Sequence, residues 1–172
     1  MKGRIQVYTG DGKGKTTAAL GLALRAAGAG LKVFIAQFAK GREYSELKAL
    51  ERFSDIVTVK QYGRQGFIVD GQPGEKDIAC ARDGLSETKR IIQSGSCSLV
   101  ILDEASIAVY FGLFSAHDLL DVIDAKPEHV ELVITGRKAD PLILERADLI
   151  TEMCEVKHYF NNDVKARRGI EY

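Results

Sequence analysis

The chain has 172 residues, of which 24 are Lys or Arg, 24 are Asp or Glu, and 45% are apolar. That length suits one compact domain, residues 1–172, with a sizeable core, and is short for two. The even charge and apolar content exclude an acidic disordered tail and a strongly basic nucleic-acid binder, and no nucleic-acid partner is expected.

Cys80, Cys97 and Cys154 lie far apart and form no close pair of metal-binding spacing. They read as free thiols of a reducing compartment. Met1-Lys2-Gly3-Arg4 runs straight into Ile5-Gln6-Val7-Tyr8 without the parts of a signal peptide. No segment reaches the roughly 18 apolar residues of a membrane span. The expectation is a soluble cytoplasmic protein.

In chain order, Ile5 to Tyr8 predicts a first strand, and Thr16 to Gly28 a helix with apolar residues at three- and four-residue spacing. Strands are predicted over Lys32 to Phe38 and Ile56 to Tyr62 from their apolar, β-branched runs. Arg64 to Glu75 is rich in glycine and lacks periodicity, which predicts a loop, either functional or a plain surface connection. A helix over Lys76 to Ser94, a strand over Leu99 to Asp103, a helix over His117 to Lys126 and a strand over Val130 to Thr135 follow. Alternation of this kind predicts an α/β fold: a mostly parallel sheet with helices on both faces and right-handed crossovers.

The segment with most chemical content is Thr9-Gly10-Asp11-Gly12-Lys13-Gly14-Lys15-Thr16-Thr17, between the first strand and first helix. Glycines there let backbone amides approach phosphate oxygens, and the helix N-terminus adds partial positive charge. Lys15 brings a mobile full charge and Thr16 a hydroxyl placed for Mg²⁺, or Mn²⁺, on a triphosphate. The general phosphate-loop pattern wants a glycine where Thr9 stands; here the glycine is Gly10. Lys13 either joins the phosphate contacts or is simply solvated.

Leu99-Val100-Ile101-Leu102 ends in Asp103-Glu104, carboxylates at the C-terminal end of a core strand, where such sheets bind ligands. They are placed to hold the metal directly or through water, or else to cap the strand. Arg137, in Thr135-Gly136-Arg137 after another strand, can fork onto phosphate oxygens or stand as a surface charge.

These motifs, together with Gln37-Phe38, Lys40-Gly41, Val156-Lys157-His158 and Arg168-Gly169-Ile170-Glu171-Tyr172, occur in order along the chain. In that combination the chain resembles the ATP:corrinoid adenosyltransferases of the CobA/CobO/BtuR type, from about Gly3 to the last residue. The shifted glycine is that family's own form of the loop. The resemblance implies a P-loop NTPase-like fold and transfer of the 5′-deoxyadenosyl group of ATP to a reduced Co(I) corrinoid, releasing triphosphate. It further implies Lys15 and Arg137 opposing charge on the leaving triphosphate, Thr16, Asp103 and Glu104 at the metal, a reduced flavoprotein as electron donor, and a homodimer. By resemblance Arg25 touches the nucleotide; a helix-surface arginine near Gly28 is the plainer alternative.

Phe67 is the implied wall of a dry corrinoid pocket, with Val69 beside it. Relatives carry Gly-Phe-Thr-Trp there; this chain reads Gly66-Phe67-Ile68-Val69 and has no tryptophan. Asp11 stands where relatives have asparagine, and the comparison with longer members carries the expectation that this chain lacks their N-terminal extension. His158 reads as a hydrogen-bonding group before a cobalt ligand. Two other functions stay open at this level: a phosphoryl-transferring NTPase or kinase acting on a small molecule, and a nucleotide-gated corrinoid-binding module.

Overall fold

The structure, a computed structural model, describes residues 2–41, 44–63 and 72–172. Six strands form one sheet: β1 (Ile5–Thr9), β2 (Val33–Phe38), β3 (Val57–Tyr62), β4 (Leu99–Asp103), β5 (Glu131–Thr135) and β6 (Leu149–Glu152). Their spatial order is β3-β2-β4-β5-β1-β6, and every pairing is parallel. The helices are α1 (Lys15–Gly28), α2 (Ser45–Leu50), α3 (Glu75–Ser94), α4 (Ala105–Tyr110), α5 (Ala116–Asp124) and α6 (Pro141–Glu145).

Buried on both faces, the central strands read as unbroken apolar runs. Alternate residues nonetheless divide between two cores. Ile35, Ile101 and Val133 join Ala19, Ala23 and Ala27 of α1 on one face. Phe34, Leu102 and Ile134 join Leu85 and Ile92 of α3 and Leu119 and Val122 of α5 on the other. The chain travels one way through the sheet from β1 to β3 and then the other way to β6. With crossover handedness constant, that reversal carries the later helices to the opposite face.

Helix ends show where the chain stops for structural reasons and where it does not. The Ser115 hydroxyl accepts the Asp118 amide at the start of α5, and Asp140 accepts the Leu142 amide at α6. α3 closes on Gly95 at φ 62°. α1 begins at Gly14 with no side-chain cap and no acidic residue in its first turn, which leaves its leading amides to be satisfied from outside.

The predicted strands and long helices are present, with ends displaced by one or two residues. The sequence reading did not contain β6, α2, α4 or α6. β6 has all four residues exposed at the sheet edge, and the three helices have five or six residues each, too few to show a 3.6-residue period.

Candidate active site

The C-terminal ends of β1, β2, β4 and β5 converge at one edge of the sheet. Each exit turns through left-handed backbone: Gly10 after β1 (φ 90°), Ala39 after β2 (φ 53°), Glu104 after β4 (φ 60°) and Gly136 after β5 (φ 140°). Ala39 and Glu104 are not glycine, and strained backbone of this kind collects at functional sites.

The loop from Gly10 to Gly14 is held from behind by the segment after β6. The Gly12 amide donates to the Met153 carbonyl at 2.6 Å, and the Met153 amide to the Thr9 carbonyl at 2.9 Å. A Cβ at Gly12 would lie 2.7 Å from the Met153 oxygen, so glycine is required there for close approach. Lys15 is buried and folds back, its ammonium donating to the carbonyls of Gly10 (2.6 Å) and Gly12 (2.7 Å). Burial, and then the neighbouring charge of Arg137, hold the Lys15 pKa below the usual lysine range.

Asp103 is the best-connected side chain of the site. Its Oδ1 accepts hydroxyl hydrogen bonds from Thr16 (2.9 Å) and Thr135 (2.7 Å), and its Oδ2 accepts from Gln37 (3.1 Å) and from the Lys40 ammonium (2.7 Å). The same ammonium stands 3.3 Å from the Thr16 hydroxyl. Burial works against the Lys40 charge, but the Asp103 charge and hydrogen bond outweigh it and raise the lysine pKa. Glu104 faces the cleft; burial, then the charge of Asp103, push its carboxyl up, against the pull of Lys40, Lys15 and Arg137.

These groups line a cleft of about 840 Å³. Gly12, Lys13, Gly14, Lys15, Thr16 and Thr17 form its floor, with Lys40, Glu104 and Arg137 on its walls. Arg137 is exposed and has no ion-pair partner among the described residues. The chain's last residues close the far side: Lys13 donates to the Tyr159 hydroxyl (2.9 Å), the Ile170 carbonyl (3.1 Å) and Glu171 Oε1 (2.8 Å), and Ser45 donates to the Tyr172 carbonyl (3.0 Å).

A phosphate loop on an uncapped helix, with the acidic end of β4 beside it, is shared by many nucleotide enzymes; comparison with known proteins separates them. The family model for "ATP:corrinoid adenosyltransferase BtuR/CobO/CobP" matches residues 1–172. The chain belongs to the ATP:corrinoid adenosyltransferase family. It is similar to the corrinoid adenosyltransferase of Pseudomonas aeruginosa, 37% identical over 172 residues, covering 99% of this chain and 84% of the relative. It is 38% identical over 177 residues to that of Escherichia coli K12, and 37% identical over 177 residues to corrinoid adenosyltransferase CobA of Salmonella typhimurium. Each of these two alignments covers 99% of this chain and 86% of the relative.

Within this adenosyltransferase fold, the sequence-derived candidates fall into distinct places. Gly12, Lys13, Gly14, Lys15, Thr16, Thr17, Glu104 and Arg137 line the cleft, while Asp103 lies beneath it, bonded to Thr16. Thr9 and Gly10 stand at the loop's entry, and Asp11 is exposed. Arg25 is exposed in the last turn of α1, about 15 Å along the helix from Lys15, and is not among the cleft-lining residues. Phe67 and Val69 lie outside the described residues. His158 lines the cleft, its Nδ1 accepting from the Phe160 amide (3.0 Å), in keeping with a hydrogen-bonding histidine. The three cysteines are free. Among the described residues no helix is long and apolar enough to cross a membrane.

Sequence reasoning gave no role to Lys40, Gln37, Tyr159 or Ser45. Lys40 and Gln37 sit at the end of β2, and that strand-end position was the signal available.

Proposed function

We propose that this chain transfers the 5′-deoxyadenosyl group of ATP to the cobalt of a reduced corrinoid. The Co(I) electron pair forms the bond to C5′, the C5′–O bond breaks, and triphosphate leaves with its electron pair. The observation that carries this reading is the convergence of Lys15, Thr16, Glu104 and Arg137 on one cleft at the uncapped start of α1, in a chain of this family.

The cobalt is itself the nucleophile, so the protein's task is alignment and stabilisation of the leaving group. The loop amide of Gly14 and the first turn of α1 receive phosphate oxygens. On nucleotide binding Lys15 exchanges its two backbone carbonyl partners for phosphate, and Arg137 engages the triphosphate from the opposite wall. Each such donor contributes on the order of 10²- to 10³-fold in rate, by comparison with one oxyanion-hole group.

The donor set at the metal position fits Mg²⁺ or Mn²⁺: the Thr16 hydroxyl and the Glu104 carboxylate line the cleft, with the Asp103 carboxylate beneath Thr16, and all are hard oxygens. Thr16, Asp103 and Glu104 would hold such a metal together with phosphate oxygens of the nucleotide. When bound, the metal neutralises charge on the triphosphate. The reading includes a reduced flavoprotein as source of electrons, a homodimer, and a cytoplasmic setting, all supported by likeness to the family.

Anaerobic incubation with chemically reduced corrinoid, ATP and Mg²⁺ tests it, scoring photolabile adenosyl-corrinoid and inorganic triphosphate beside Lys15→Ala. Both products form with the wild type and are lost in the variant. Orthophosphate or ADP alone, or corrinoid bound without an adenosyl product, overturns the reading.

A further inference from the structure

Lys40 is seated with unusual care for a residue at a strand exit. The residue before it, Ala39, adopts left-handed backbone at φ 53°, a conformation that strains a non-glycine residue and persists only where surroundings enforce it. Gly63, just after β3, lies against the Lys40 backbone: a Cβ there would come within 2.5 Å of the Lys40 nitrogen and 2.6 Å of its oxygen. The ammonium so delivered sits between two of the oxygens assigned to the metal, 2.7 Å from Asp103 Oδ2 and 3.3 Å from Thr16 Oγ1. It also lies 5.4 Å from the centroid of the Tyr44 ring at the cleft wall.

We propose that Lys40 is an internal cation that occupies the divalent-metal position until metal and triphosphate arrive together, then moves onto the triphosphate. This rests on the metal site proposed above. An ammonium within hydrogen-bond distance of both oxygens and a divalent ion bonded to them at about 2.1 Å claim the same space and repel each other. Divalent metal alone must therefore displace Lys40 with no anion to receive it. With ATP present, the displaced ammonium has phosphate oxygens beside it, and metal and nucleotide enter as one unit. Before metal arrives Lys40 neutralises Asp103, and it makes metal binding depend on nucleotide.

The test is Mn²⁺ binding, followed from the electron paramagnetic resonance signal of free Mn²⁺, with and without ATP and with no corrinoid present. Wild type is compared with Lys40→Met and with Lys40→Gln, which keeps a hydrogen-bond donor for Asp103 without the charge. Without ATP, both variants bind Mn²⁺ on the order of tenfold tighter than wild type, the worth of about 1.4 kcal/mol of removed repulsion. With ATP the advantage shrinks or reverses. Either variant, folded by circular dichroism yet binding Mn²⁺ alone no tighter than wild type, overturns the role of Lys40. If no protein takes up Mn²⁺ even with ATP, the metal site itself is wrong, and this inference falls with it.

Discussion

Lys13 Nζ lies 2.8 Å from Glu171 Oε1, joining the phosphate loop to a residue 158 positions later in the chain. Glu171 is also bonded to the Tyr159 hydroxyl and accepts the Arg167 amide at 2.6 Å. The segment that closes the cleft is thus fastened at a few charged points, with Val156 and Phe160 left exposed.

Those contacts hold the Glu171 carboxyl far below the usual carboxylate range, the bond from Lys13 first, then those from Tyr159 and Arg167. A depressed native pKa stabilises above the unfolded value and is lost as pH falls through the native one. The tail should stay docked as pH drops through about 4, where free glutamates protonate, and release only in stronger acid. Glu171→Gln should release it at neutral pH. Limited proteolysis across pH reads both: early cleavage between residues 155 and 172 in the variant, with the rest of the chain resistant.

Glu104 shows the opposite sign. Its carboxyl is pushed up by burial, then by Asp103, so the folded protein binds the proton more tightly than the unfolded chain. Stability contributed there is full at low pH and declines as pH rises through the elevated value. Glu104→Gln should therefore raise the Tm of the ligand-free protein at neutral pH and flatten this part of its pH dependence. The same change should lower adenosyl transfer by about tenfold or more, since a carboxylate that costs stability is retained for its ligand. Thermal scans across pH beside anaerobic turnover separate the two effects.

Thr135 is fully buried and serves two masters: its hydroxyl donates to Asp103 Oδ1 at 2.7 Å and accepts the Glu104 amide at 3.0 Å. Thr135→Val keeps the shape, leaves the Glu104 amide without this acceptor and takes one of two hydroxyl donors from Asp103 Oδ1. Leaving buried polar groups unsatisfied costs roughly 1–3 kcal/mol. Denaturant unfolding should show a loss of that size, together with weaker Mn²⁺ uptake in the presence of ATP.

Ser106 is buried, and its hydroxyl has no hydrogen-bond partner among the described residues. Its Cβ faces Gly136, where an added Cβ would come within 2.9 Å. Ser106→Ala keeps that carbon and removes only the unpartnered oxygen, so stability should rise by up to about 1 kcal/mol in a denaturant titration. A loss of stability would mean that the hydroxyl has a partner in solution.

The parallel sheet was legible because central strands buried on both faces must be continuously apolar, as Leu99 to Leu102 are. The phosphate loop was legible because Gly10, Gly12, Gly14, Lys15 and Thr16 are local in sequence. β6 was not, because Leu149 and Ile150 are exposed at the edge and its pairing with β1 is fixed by topology. The role of Lys40 was hidden for a related reason. Its seat depends on Gly63 and Asp103, one from the neighbouring strand exit and one from β4, and no spacing along the chain reports that meeting. Arg25, for which the resemblance implies nucleotide contact and the helix position a plain surface arginine, stands exposed in the last turn of α1.

β1 lies between β5 and β6, so the first strand made has only late-made neighbours. During synthesis Ile5 to Thr9 must wait until the strands at residues 131–135 and 149–152 have left the ribosome, and the Gly12 amide waits for the Met153 carbonyl. Until then β1 and the glycine-rich loop after it are unpaired, the condition under which nascent chains stick to one another or to chaperones. Nucleotide cannot act as an early template for folding, because the loop that would hold it is completed by almost the last element to form. A chain truncated before residue 153 should therefore yield a protein that fails to mature rather than one that merely lacks a tail.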